Sequence, residues 1–99
     1  MSFFEVTSSE IRAKAGLLSD LNGQFRAKAT DLESKEQSLC TMWEGEAKTA
    51  FHQAFMRDKS QMDVFNRLID SYVEALLEIA AKYEEAERRA LELASGRTY

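Results

Sequence analysis

The chain has 99 residues, with 13 basic and 17 acidic side chains and a net charge of −4. This length allows one small domain. The negative net charge argues against sequence-independent binding to nucleic acid, which requires a basic face. A single cysteine excludes an internal disulfide. Because proline is absent and strong helix formers dominate, we expect an all-α protein.

The first predicted helix covers about residues 8–40. Thr7 and Glu10 have the spacing of a capping box, in which each side chain bonds the other residue's backbone N–H. The apolar residues that follow recur every seven positions, which is typical of a helix that packs lengthwise against another helix. These predicted interface residues are Ile11, Leu18, Phe25, Leu32 and Leu39.

The second predicted helix covers about residues 46–94 and carries two interleaved seven-residue columns. Together they predict a long helix–helix interface, and residues 95–99 form a predicted tail after the helix. The first column is Phe55, Met62, Ile69, Leu76, Tyr83 and Ala90. The second column contains Phe51, Phe65, Tyr72 and Ile79, interrupted by Asp58.

A single domain is therefore expected to fold as an antiparallel helical hairpin with its turn at about residues 41–45. At 1.5 Å per residue the helices would be roughly 50 Å and 73 Å long, so the first would end opposite about residue 78 or 80. The last turns of the second helix would then lack an intramolecular partner. Two helices also bury little apolar surface, and we predict dimerisation into a four-helix bundle.

Trp43 lies at the predicted turn, two residues before Gly45. Gly45 supplies the backbone freedom that a reversal needs. Thr41 and Glu44 have the spacing of a second capping box, which would start the second helix slightly earlier. The indole of Trp43 has two possible roles: it closes the open end of the helix pair, or it is partly exposed for a partner.

The segment MWEGEAKTAF resembles the mid-chain motif of the Trp-X-Gly (WXG) family of small secreted proteins, whose archetype is the early secreted antigenic target of mycobacteria. Trp43-Glu44-Gly45 matches the motif, and the resemblance covers the whole chain. It implies a helical hairpin exported by a type VII (ESX- or Ess-like) secretion system without a cleaved signal peptide. It also implies a homodimer, or a heterodimer with a paralogous WXG protein, and contact with an FtsK/SpoIIIE-type ATPase.

A second family motif, Tyr-X-X-X-Asp/Glu, is matched by Tyr83 and Glu87. The resemblance implies that this pair helps to direct export and is recognised together with the Trp-X-Gly turn of an antiparallel partner. Residues four apart share one face of a helix, so one receptor could read both. The alternative is that Tyr83 only packs in the helix–helix interface.

The sequence predicts no catalytic site, metal site or cofactor, and no stable insertion in a membrane. His52, the only histidine, is expected to be solvated or to cap a helix, with Cys40 and Asp58 as its nearest polar neighbours. Two functions remain open: a secreted effector or secretion partner, and a cytosolic adaptor for a toxin or enzyme. An enzyme is not expected, and only a convergent pocket with His52, Cys40 and an acid would support one.

Overall fold

A computed structural model describes residues 3–96 of the chain, with side chains from residue 7 onward. Helix α1 spans Phe3–Thr41 and helix α2 spans Glu46–Gly96, and these two helices account for the regular secondary structure of the described residues. The all-α fold of two long helices joined by a short turn is confirmed. Within residues 3–96, neither helix offers a stretch long and apolar enough to cross a membrane.

The chain divides into two compact units, which we call the turn unit and the terminal unit. The turn unit is Asp20–Asp70, and the terminal unit is Met1–Ser19 with Ser71–Tyr99. In the turn unit, Asn22 of α1 bonds Asn66 of α2, whereas Glu36, later in α1, bonds His52, earlier in α2. The two segments of the turn unit therefore run antiparallel.

Helix α1 begins at Phe3, five residues before the expected start at residue 8. Thr7 lies inside this helix, so the predicted capping box of Thr7 and Glu10 is wrong. The first turns carry no proline and continue the same helical pattern, and a capping signal within a longer helix does not start a new one. At the other end, α2 includes Ser95 and Gly96 of the predicted tail, and residues 97–99 lie outside the described residues.

The interface on α2 has a different second column from the predicted one. Half-buried or buried positions alternate at steps of three and four residues along the helix, as in a coiled coil. The column that begins at Phe55 is half-buried as far as Tyr83 and belongs to this interface. Its companion is not the Phe51 column but the positions one residue later, namely His52, Lys59, Asn66, Val73, Ala80 and Glu87.

The most buried positions of α1 form a column of small and polar residues. They are Ser8, Ala15, Asn22, Ala29 and Glu36, spaced seven residues apart. Small side chains let the facing helix approach closely, and the polar ones need hydrogen-bond partners once they are buried. Apolar residues beside this column, including Ile11, Leu18 and Phe25, are half-buried.

Candidate functional site

The backbone reverses at residues 42–45, immediately after α1. The N–H of Met42 donates to the carbonyl of Leu39 at 3.1 Å, which closes the last turn of α1. Gly45 has a φ of 106°, the only positive φ among the described residues, and its carbonyl accepts the first hydrogen bond of α2 from Thr49 at 3.3 Å. Gly45 therefore caps α2 in a conformation that other residues rarely adopt.

The alternative start of α2, with a capping box of Thr41 and Glu44, is wrong. Thr41 is the last residue of α1, and its hydroxyl donates to the carbonyl of Ser38 at 2.6 Å. A hydroxyl near a helix C-terminus can satisfy a carbonyl of the preceding turn. Helix α2 starts at Glu46, directly after Gly45.

The Trp43 side chain is half-buried and packs on the first turns of α2. Its indole centroid lies 5.6 Å from the ring of Phe51, with an interplanar angle of 50°, a tilted arrangement that aromatic pairs favour. Phe51 itself is exposed, and so is Met42, which precedes Trp43 in the sequence. The turn thus fixes one side of the indole against α2 while part of the ring and its neighbours stay accessible.

Tyr83 and Glu87, the second predicted motif, lie in the terminal unit, and both are half-buried on α2. Glu84, which follows Tyr83 in the sequence, forms a bidentate ion pair with Arg12 of α1, and both N–O distances are 2.7 Å. The expectation that α1 ends opposite residue 78 or 80 is therefore wrong. This part of α2 therefore has an intramolecular partner in α1, namely Arg12.

The predicted helix–helix interface residues fall into two groups. The half-buried group is Ile11, Leu18, Phe25, Phe55, Met62, Ile69 and Leu76. The exposed group is Leu32, Leu39, Phe51, Phe65, Tyr72 and Ile79. Phe65 is 50% exposed although its ring lies 5.6 Å from that of Phe25. Within the chain, the first group is the more buried between α1 and α2, although Phe65 of the second group also contacts Phe25 of α1.

A buried polar network in the turn unit was missed by the sequence analysis. Asn22 and Asn66 bond each other reciprocally, and the shortest contact, from Nδ2 of Asn66 to Oδ1 of Asn22, is 2.7 Å. Arg26 donates to Oδ1 of Asn66 at 2.6 Å and to Asp70 at 3.2 Å. These two are the only asparagines in the sequence, and neither lies in a predicted interface column. The available signal was the seven-residue spacing of Asn22 with Ala15 and Ala29, because a polar residue in such a column can fix the alignment of the helices.

The second missed group surrounds Glu36, next to the turn. The Nδ1 atom of His52 lies 2.6 Å from Oε1 of Glu36, and the Cys40 thiol donates to the same oxygen at 3.1 Å. The expected neighbour Cys40 belongs to this group, and the His52 side chain is 45% exposed. The contact of His52 with the buried Glu36 was not predicted. The sequence signal was the i,i+4 spacing of Glu36 and Cys40, which places both on one face of α1.

The pKa values of Glu36 and Cys40 are shifted by the contacts that His52 and Cys40 make with Oε1 of Glu36. The hydrogen bond from His52 lowers the pKa of Glu36, against the opposing effect of burial. The hydrogen bond to the Glu36 carboxylate, helped by burial, raises the pKa of the Cys40 thiol. A thiol in this state is a weak nucleophile.

The chain matches the family described as WXG100, proteins of 100 residues with WXG, over residues 4–88. This match, together with Trp43 and Gly45 at the turn between two long helices, shows that the protein belongs to the WXG100 family. Among its relatives are the type VII secretion system extracellular protein A of Staphylococcus aureus strains USA300 and Newman. Each is 24% identical over 89 residues, covering 90% of this chain and 92% of the relative. No solved structure matches the chain.

Proposed function

We propose that this protein is a substrate of a type VII secretion system and is exported as a folded helical dimer. The observation that carries the proposal is the family match over residues 4–88, which includes the Trp43-Glu44-Gly45 turn. The S. aureus relatives are named as extracellular proteins of such a system. Export in this route uses no cleaved signal peptide, and the protein is made in the cytoplasm before it leaves the cell.

The dimer is supported by large apolar side chains that the two helices leave exposed. In the turn unit these include Leu32, Phe65 and Leu68, and in the terminal unit Tyr72 and Ile79. Large apolar side chains left exposed on a monomer are costly in water and can mark an interaction site. A second copy, or a paralogous WXG protein, would cover these residues in a four-helix bundle.

Within that route the protein acts by binding and not by catalysis, either as a secreted effector or as the partner that carries another substrate. Its membrane-bound receptor is an FtsK/SpoIIIE-type ATPase, and the contacts are made by the Trp43 turn and by Tyr83 and Glu87. Tyr83 and Glu87 lie four residues apart on α2, so one binding groove can contact both.

The test is export of conservative variants from the producing cell. Tyr83→Phe keeps the packing of the ring and removes the hydroxyl, and Glu87→Gln keeps the shape and removes the charge. Glu74→Gln is the matched control, because Glu74 is an exposed carboxylate elsewhere on α2. We expect Glu87→Gln and Tyr83→Phe to reduce the extracellular fraction while the control does not. Normal export of both variants would contradict the role of this pair.

A cytosolic adaptor is the second candidate, favoured by the same exposed apolar residues. A helical segment of a toxin or enzyme could cover them in place of a second copy. This function predicts a stable heteromeric complex in the cell and no extracellular pool. Isolation of the protein at native expression level, with the culture medium assayed in parallel, distinguishes the two functions.

A further inference from the structure

The group around Glu36 combines three metal-ligating side chains from two helices at one end of the turn unit. Glu36 and Cys40 come from α1 and His52 from α2, and one donor atom from each lies within 4.8 Å of the other two. Carboxylate, thiolate and imidazole together are typical of zinc and related divalent transition ions, whereas magnesium and calcium prefer oxygen ligands alone.

A second observation points to a missing ligand. The side chain of Glu36 is only 3% exposed, and its Oε2 atom is buried without a hydrogen-bond partner, while Oε1 takes the contacts from both His52 and Cys40. An unsatisfied oxygen on a buried carboxylate is costly. Replacement of a whole buried ion pair by apolar residues is often neutral or stabilising, so a buried pair alone is weak evidence for a purely structural role.

We propose that Glu36, Cys40 and His52 form a binding site for a zinc ion beside the Trp-X-Gly turn. Three protein ligands leave the fourth tetrahedral position for water or for a group from a partner. This position can reach solvent, because the His52 side chain is 45% exposed.

The geometry needs only a small adjustment to accept the ion. Zinc bonds of about 2.0–2.3 Å set neighbouring ligand atoms roughly 3.3–3.6 Å apart in a tetrahedron. The present separations of 2.6 Å between His52 and Glu36 and 3.1 Å between Cys40 and Glu36 must each open by less than about 1 Å. Rotation of side chains on two facing helices provides such a change without moving the backbone.

Charge balance also fits a divalent ion. On binding, the Cys40 thiol loses its proton to solvent and the thiolate joins the Glu36 carboxylate, so two negative charges meet the two positive charges of zinc. His52 binds as the neutral imidazole.

The first experiment uses purified full-length protein, stripped of metal with a chelator and titrated with zinc in a calorimeter. We expect one zinc per chain. Cys40→Ser and His52→Gln should each weaken zinc binding by at least about tenfold, because mutation of even the outer-sphere partners of a zinc site has an effect of this size. Asp58→Asn is the control, because it removes an exposed carboxylate six residues after His52, and it should bind as the wild type does.

Alkylation of Cys40 in the wild-type protein provides a second measurement, which a folding defect in a variant cannot affect. Zinc should slow alkylation of Cys40 in the wild-type protein by tenfold or more, a chelator should reverse this, and magnesium should have no effect. With cobalt as a probe, a thiolate-to-cobalt charge-transfer band should appear in the wild type and be absent in Cys40→Ser. Absence of zinc binding, or equal binding by the wild type and both ligand variants, would overturn the proposal.

Discussion

Gly45 illustrates how one backbone angle decides the position of the turn. At a φ of 106°, a side chain would add left-handed strain of about 1–2 kcal/mol. Gly45→Ala should therefore lower the free energy of unfolding by that amount, although space for a Cβ atom is available. Gly23→Ala is the matched control: Gly23 lies inside α1 with open space around it, and alanine there should stabilise the helix by about 1 kcal/mol. Urea unfolding at fixed protein concentration measures both changes.

Arg12 and Glu84 form an exposed pair whose effect is best measured as a titration. The Arg12 guanidinium, by hydrogen bonding and by its charge, holds the pKa of Glu84 below its ordinary value, and a hydrogen bond with Ser8 adds to this. A lowered pKa in the folded state stabilises the fold above the ordinary carboxyl pKa, and this stabilisation is lost as pH falls through the lowered value.

The pKa of Glu84 should therefore rise in Arg12→Gln, since the hydrogen bond and the charge are both removed. A carbon-detected NMR titration of the Glu84 carboxyl reports the change directly. Lys14→Gln serves as the control, because Lys14 is an exposed cation two residues away. An unchanged Glu84 titration in Arg12→Gln would show that the pair does not persist in solution.

At the level of elements, the sequence predicted two long helices and the turn between them, because seven-residue spacing and the position of glycine depend on local geometry. It could not predict which columns face each other within the chain. Phe65 is more apolar than Asn66 beside it, yet the Asn66 column is the one buried against α1. Apolar periodicity identifies every surface that avoids water, and it does not separate an intramolecular contact from a contact with another chain.

The Asn22–Asn66 pair should matter for alignment of the helices more than for stability. Asn22→Ala removes hydrogen-bond partners of the buried Asn66 amide. The free energy of unfolding should therefore fall by about 1–3 kcal/mol. Replacement of both by leucine removes the unsatisfied groups and should be neutral or stabilising, with loss of a unique helix alignment. Urea unfolding measures the first effect and the dispersion of amide NMR signals the second. A double variant as unstable as Asn22→Ala would contradict this interpretation.

At the level of the whole molecule, the family motifs were readable because they are short and local, whereas the polar cluster at Glu36 was not. Glu36 and His52 are 16 residues apart in sequence and meet only because the turn at 42–45 brings the two helices together. No local pattern encodes that meeting. A sequence can therefore show which family a chain belongs to while the features particular to that chain emerge only from the pairing of its helices.

The exposed apolar residues give a direct test of assembly, with Phe65 as the most informative position. A charge there should prevent a second chain from covering this side of α2, since burying an unpaired carboxylate is strongly unfavourable. Met56→Glu provides the control: Met56 is also an exposed apolar residue of the turn unit, and it lies nine residues, or two and a half turns, before Phe65, on the opposite side of the helix.

Sedimentation at micromolar concentration should give twice the chain mass of 11.3 kDa for the wild type and Met56→Glu. Phe65→Glu should sediment as a monomer. Phe65 also contacts Phe25 within the chain. Circular dichroism must therefore show that Phe65→Glu keeps its helices before the loss of dimerisation is attributed to the contact between two chains. A wild-type protein that sediments as a stable monomer would mean that these side chains face water in solution, and the case for a secreted four-helix dimer would then fail at its first step.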